Sequence, residues 1–129
     1  ADSYWAYDAI VWAYNSSIIQ GYDDNTFRPA KNLSRQALCM MLANYMTLEQ
    51  KDVSGVELAG LMKYSDADKV SEGMLEAVDL ISSLGIVQGY NDGTLRPQNS
   101  ATRAQAAAML LRMEDAITQL PDLVTEPAE

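Results

Sequence analysis

Apolar residues recur along this chain at the spacing of helical faces, and two short polar stretches interrupt them. Trp5, Ala9, Trp12 and Ala13 fall on one side of a helix that Ser3 is placed to cap, and Met74, Ala77, Val78, Ile81 and Leu84 make a second stripe of the same kind. Each stripe runs into a β-branched pair, Ile18-Ile19 or Ile86-Val87, then a glycine, then turn formers: Asp23-Asp24-Asn25 after Gly21 and Asn91-Asp92-Gly93 after Gly89. Glycine at 21 and 89 suggests a turn or a close backbone approach, and at least one of the two is expected to adopt a backbone conformation that other residues take only with strain. Beyond an Arg-Pro pair, Ser34 and Thr102 stand where a helix cap belongs. The helices that follow place Leu38, Met41, Leu42 and Tyr45 on one face, and Ala106, Met109, Leu110, Met113 and Ile117 on its equivalent. Gln105 is positioned to complete a capping box with Thr102, which Ala37 cannot do for Ser34.

The two patterns are copies. Laying Gly21 on Gly89 carries Ser3 onto Ser71 and Leu42 onto Leu110 without a gap, and 11 of the 25 positions from 18 to 42 are identical in the second copy. The expectation is a mainly α fold in which tandem helix-loop-helix repeats pack into one domain, with few or very short strands. Trp12, Ile19, Leu42, Ile86, Met109 and Leu110 are expected to be largely buried. Residues 1–46 form repeat 1, which begins inside the pattern because the counterpart of Tyr64 would precede Ala1; this start predicts a fragment of a longer protein. Residues 47–63 form a partly helical linker in which 47–51 prolong the helix, 52–55 break it and 56–62 add a turn or two. Residues 64–117 form repeat 2, and 118–129 an acidic tail expected to fray.

Charge and composition narrow the chemistry. Eighteen acidic against nine basic residues give a net charge of -9, which disfavours nucleic acid and anionic membrane surfaces. No run approaches the roughly 18 apolar residues of a membrane span. The chain has no histidine, which removes Ser-His-Asp and Cys-His catalysis and most zinc sites. Cys39, the one cysteine, lies in an apolar run and reads as a small core residue. No enzyme and no cofactor are expected. The acidic turns raise calcium, but that template needs a glutamate at its twelfth position, where Ser34 and Thr102 stand, so no metal is expected either.

Two arginines recur at matching positions of the two repeats. Arg28 and Arg96, each before a proline, brace the loop or lie along it. Arg35 and Arg103 fall in the first turn of a helix, where the macrodipole makes a cation unfavourable by about 0.3–1 kcal/mol. Such a residue beside free helix amides suits a carboxylate or phosphate; a salt bridge to one of the 18 acidic residues is the other reading, and both stand. Removing either cation is expected to leave stability unchanged or slightly higher unless it is a structural salt-bridge partner.

The string Trp5-Ala6, Ala9-Ile10, then Ile-Ile-Gln-Gly-Tyr-Asp-Asp-Asn-Thr-Phe-Arg-Pro over 18–29, then Leu33-Ser34-Arg35 resembles the S-layer homology (SLH) motif. That family carries a Trp-Ala helix, a Gly-Ile-Ile-x-Gly-Tyr-x-Asp-Gly-Thr-Phe-Arg-Pro loop and an Ile-Thr-Arg-Ala-Glu helix start. The second copy is similar through Tyr64-Ser65-Asp66, residues 84–97 and Ala101-Thr102-Arg103-Ala104, so the resemblance covers roughly 1–46 and 64–115. It implies a non-catalytic module that anchors a bacterial surface protein to the cell wall by binding a secondary cell-wall polysaccharide, commonly through an acidic pyruvylated sugar. The ligand-binding positions it implies are Arg35 and Arg103, with Trp5, Gly21, Gly89, Asp24 and Asp92. It also implies a third repeat, from the same protein or another chain, because family domains usually hold three. The family glutamate is absent, with Ala37 and Gln105 in its place, and Gly73 replaces the tryptophan in copy two, which predicts weaker binding there. These departures leave open a scaffold or protein-interaction module that has lost the glycan.

Overall fold

In the computed structural model, which describes residues 4–124, four helices carry the chain: α1 Tyr7–Asn15, α2 Arg35–Leu48, α3 Leu75–Ser83 and α4 Arg103–Gln119. α3 repeats α1, and the start of α4 repeats that of α2, at the offset of the sequence repeat, so the duplicated sequence folds as a duplicated unit. Among the described residues there is no strand, only two isolated bridges, Ser34 with Ser100 and Lys51 with Asp122. The fold is mainly α.

The caps explain where the second helix of each repeat starts. Ser34 is extended, and its hydroxyl accepts from the Ala37 amide at 3.2 Å. Thr102 accepts from Gln105 N at 3.0 Å while Gln105 Oε1 accepts from Thr102 N at 3.1 Å, the reciprocal box expected of this pair. α1 starts after Ala6 without a side-chain cap; Ser3, the expected cap, lies outside the described residues. α2 stops at Leu48, earlier than expected, where the chain turns through a left-handed Gln50 (φ 57°). Three single-turn 3-10 helices, Leu61–Lys63, Ala67–Lys69 and Glu72–Met74, then lead to α3.

The core forms between repeats. Leu38, Cys39, Leu42 and Met46 of α2 pack with Val78 and Ile81 of α3, Ile86, Val87 and Leu95 of the second loop, and Met109 and Met113 of α4. Burying a side chain such as Ile81 or Ile86 completely is worth about 1.5–3 kcal/mol. Burial pushes the Cys39 thiol up to about 12, which fits a packing role.

The same geometry corrects two expected core positions. α1 contributes no buried residue: Trp12 is 55% exposed and Trp5 88%. Leu110 is 57% exposed although its counterpart Leu42 is 5%. The reason is asymmetry of cover, because α2 lies on α3 while no described element takes the equivalent place on α1. Ile19 is half-buried, and Leu42, Ile86 and Met109 are buried as expected.

Near the C-terminus a short clasp replaces fraying. Asp52 N donates to Pro121 O and Leu123 N to Gln50 O, both at 2.8 Å, and Lys51 Nζ reaches Asp122 Oδ1 at 2.7 Å. Residues 125–129 of the expected tail lie outside the described part.

Candidate functional site

Each loop closes on itself by the same clasp. In repeat 2, Asp92 Oδ1 accepts from the amide (3.0 Å) and hydroxyl (2.6 Å) of Thr94, and its Oδ2 accepts from Arg96 Nη2 at 3.1 Å. Arg96 Nε also donates to Thr94 Oγ1, and its guanidinium lies 3.8 Å over the Tyr90 ring. In repeat 1, Asp24, Thr26, Arg28 and Tyr22 make the same contacts, with the guanidinium 3.9 Å over Tyr22. The hydroxyl of the threonine, then the other clasp bonds, hold the Asp24 and Asp92 carboxyls below the usual carboxylate range. Arg28 and Arg96 sit at φ 58° and 56°, a strained region for arginine, costing about 1–3 kcal/mol that the clasp offsets. The repeated Tyr, Asp, Thr and Arg thus shape the turn.

Gly21 and Gly89 serve space rather than conformation. Neither has a positive φ; that is found at Gly85 and Gly93. A Cβ at Gly89 would overlap the Tyr64 ring and come within 2.6 Å of Thr94 O, and one at Gly21 would lie 2.8 Å from Thr26 O. The strained conformation expected of at least one of them is therefore found at neither, and close approach of neighbouring atoms is what excludes a Cβ there.

A segment ahead of α3 fills the inside of the second loop. Gly89 N donates to Tyr64 Oη at 3.0 Å, Ser65 N to Gly93 O at 3.0 Å, and the amides of Leu95 and Arg96 to the two oxygens of Asp66 at 2.8 Å each. Burial pushes the Asp66 carboxyl up, but the two amides outweigh it and leave it below the usual range.

The repeats meet at the start of α2. Arg35 N donates to Asn99 O and Gln36 N to Pro97 O, each at 2.8 Å, and Ala37 N to the Ser34 hydroxyl, so two first-turn amides of α2 are satisfied by the second loop, the third by the cap, and none is left for an anion; Ala101 N donates back to Leu33 O at 2.8 Å. Arg35 itself is 3% exposed, not on the surface as expected of a helix start. Its Nε donates to Leu95 O at 2.9 Å, its Nη2 to Gln88 O at 2.8 Å, and its guanidinium lies 5.0 Å from the Tyr90 ring centre. No carboxylate pairs with it among the described residues. These carbonyls offset the first-turn dipole cost, so removing Arg35 should destabilise the fold, the opposite of the sequence expectation. At α4 the equivalent Arg103 is exposed, and the amides of Arg103 and Ala104 have no partner among the described residues.

Arg35 also lines a groove of about 320 Å³ between the second loop and α4. Gln88, Gly89 and Tyr90 form its loop side, and Gln105, Ala108, Met109 and Arg112 its α4 side. Gln105 Nε2 donates to Tyr90 Oη at 2.8 Å, and Arg112 Nη1 to Ile86 O at 3.3 Å. Two guanidinium groups and no carboxylate line a groove on a chain of net charge -9, and a floor of Ala108, Met109 and Val87 offers an apolar surface. Such a groove suits an anion carried on a partly apolar body such as a sugar ring.

Of the expected ligand residues, the structure brings only Arg35 and Gly89 to this groove. Gly21 lines other clefts, Asp24 and Asp92 are engaged in the clasps, and Trp5 and Arg103 stand on outer surfaces. Arg112 and Tyr90 were missed as site residues. One signal was available: Gln105, Ala108, Met109 and Arg112 follow the spacing of a single helical face, with one cation in an alanine-rich stretch.

The chain matches the S-layer homology domain family over residues 1–39 and 63–107. Among curated proteins it is similar to Cell surface glycoprotein 1 of Acetivibrio thermocellus, 31% identical over 87% of this chain and 5% of that protein. It is also similar to the Cellulosome-anchoring protein of the same organism, 28% identical over 86% of this chain and 24% of that protein. An Endoglucanase of Bacillus sp. (strain KSM-635) is 27% identical over 82% of this chain and 11% of its own length. The chain thus spans less than a quarter of the length of each of these relatives. No solved structure matches it.

Proposed function

This chain belongs to the S-layer homology domain family, and from that premise we propose that it is a non-catalytic cell-wall anchoring module, acting at the bacterial surface, whose inter-repeat groove binds an anionic secondary cell-wall polysaccharide. The observation that carries the glycan reading is the groove itself: Arg35 and Arg112 line it without any acidic residue, in a chain with twice as many acidic as basic side chains. A ketal carboxylate, as on a pyruvylated sugar, matches a guanidinium in two-point geometry. Arg35 is fixed by carbonyls on two of its nitrogens, so it is preorganised, and Arg112, held by one longer bond, is the arm free to adjust. The relatives named for cell surfaces and cellulosome anchoring agree with an anchoring role, and the groove gives no support to catalysis.

A third repeat of the same kind, from the same protein or another chain, completes the proposed domain. In repeat 2 the side chains of α3 and α4 close around α2, whereas in repeat 1 the matching cleft of about 580 Å³, lined by Ile10, Ala13, Ile18, Met40 and Met41, has no helix in it among the described residues. At the other end, Arg103 and Leu110 are exposed where Arg35 and Leu42 are buried. One fact favours the scaffold alternative: Arg35 already serves the repeat junction.

Sedimentation with purified bacterial cell-wall sacculi separates the readings. Sacculi retaining their secondary polymer should capture the protein, and stripped sacculi should not. Arg112→Gln should weaken capture about tenfold to a hundredfold, since a hydrogen bond to a charged group contributes about 1.5–3 kcal/mol. Equal capture of parent and variant, or none of either, supports the scaffold.

A further inference from the structure

We infer that the Tyr90 hydroxyl is a hydrogen-bond donor to the ligand in the groove and that Gln105 is the positioning residue that leaves its proton free, an assignment that rests on the anionic-glycan reading and adds to it the kind of atom bound: an oxygen with no proton of its own.

The helix cap decides the polarity of this pair. Thr102 N can only donate, so the Gln105 atom 3.1 Å from it is the carbonyl oxygen Oε1. The other end of the same planar amide, Nε2, then faces Tyr90 Oη at 2.8 Å, and Nε2 can only donate as well. The phenol oxygen therefore accepts from Gln105 and keeps its own proton for another partner. No acceptor for that proton is found among the described residues, and Tyr90 lines the groove beside Arg35 and Arg112. An ionised glutamate at 105 would reverse the arrangement, because both of its oxygens accept and one would take the phenol proton.

Tyr90 is held in place from three sides. Its N–H donates to Thr94 O at 2.8 Å, and its ring lies 3.8 Å from the Arg96 guanidinium and 5.0 Å from that of Arg35. The repeat does not need Gln105 for this. Repeat 1 has Ala37 in its place, yet Tyr22 N donates to Thr26 O at 2.7 Å, Arg28 lies 3.9 Å over the Tyr22 ring, and α2 starts at the residue that matches the start of α4. What the Gln105–Tyr90 bond adds in repeat 2 is a phenol of fixed polarity at the groove. Arg35 and Arg112 also can only donate, so the three side chains together suit oxygens without protons, as on a carboxylate or an acetamido carbonyl.

Sedimentation with sacculi that keep their secondary polymer, read as a dissociation constant, tests the pair, with thermal melts to show that each variant is folded at the assay temperature. Tyr90→Phe keeps the ring and its stacking and should weaken capture about tenfold. Gln105→Ala, the residue that repeat 1 carries, should weaken capture about fivefold in the parent but less than about twofold in the Tyr90→Phe background, because it acts through the hydroxyl alone. A merely structural glutamine would lower Tm and leave no such coupling. If Tyr90→Phe is captured as tightly as the parent, or the two substitutions weaken capture additively, the hydroxyl is not a donor set by Gln105, and the anchoring reading stands without it. A folded parent that the sacculi do not capture at all overturns both.

Discussion

Replacing Arg35 by alanine should destabilise the domain by about 0.5–4 kcal/mol, whereas the same change at Arg103 should be nearly silent. Arg35 bridges the repeats: its Nε bond to Leu95 O lies in the interior, with Leu95 1% exposed, and its Nη2 bond to Gln88 O is partly buried. Truncation leaves the Leu95 carbonyl without a partner, at about 1–3 kcal/mol, and removes a second bond worth about 0.5–1.5 kcal/mol. Relief of the first-turn dipole returns only about 0.3–1 kcal/mol, so the loss dominates. Arg103 has the same relief and no such bonds among the described residues, so its replacement should change stability by less than about 0.5 kcal/mol, or raise it slightly. Arg35→Lys should fall between parent and alanine, since an ammonium keeps the charge but not the fork. Urea unfolding followed by far-ultraviolet circular dichroism is the assay; tryptophan fluorescence is a poor probe, because Trp12 on α1 and Trp5 just ahead of it are both exposed. Equal midpoints for Arg35→Ala and the parent, or an equal loss for Arg103→Ala, would refute the reasoning.

Three further outcomes follow from the loops. Gly89→Ala should cost more stability than Gly21→Ala, because the first Cβ meets the Tyr64 ring and the Thr94 carbonyl while the second meets only Thr26 O; paired thermal melts decide it. Asp66 has a folded-state pKa below its unfolded value near 3.9, so the stability it contributes is present above about pH 4 and lost as pH falls through the lower, folded value; Asp66→Asn should flatten that acid limb of a stability profile. Added calcium or a chelator should leave Tm unchanged, because the Asp24 and Asp92 carboxylates are engaged by threonine and arginine; a rise of several degrees would contradict this.

Much of the local structure was legible in the sequence, because local chemistry decides it. Ser34 and Thr102 announced the starts of α2 and α4, Gln105 announced the capping box, and one offset fixed the equivalence of the two units. Burial was not legible. Leu42 and Leu110 are the same residue at the same place in the repeat, yet one is 5% and the other 57% exposed, since the difference lies in what packs on them. Arg35 was read as an awkward surface cation because its compensating carbonyls stand 53 and 60 residues away in the chain. Arg28 and Arg96 adopt the positive φ that propensity assigns to glycine, because the clasp to Asp and Thr holds them there. The groove was half visible: Arg35 and Gly89 came from the repeated motif, but Arg112 has Asn44 as its counterpart and so left no trace in the repeat.

The anchoring proposal is tested most directly by binding the folded protein to sacculi with and without their secondary polymer, alongside Arg112→Gln. The groove predicts capture by intact sacculi alone and a loss of about tenfold or more in the variant. Capture that ignores removal of the polymer, or a folded protein that binds neither preparation, contradicts it.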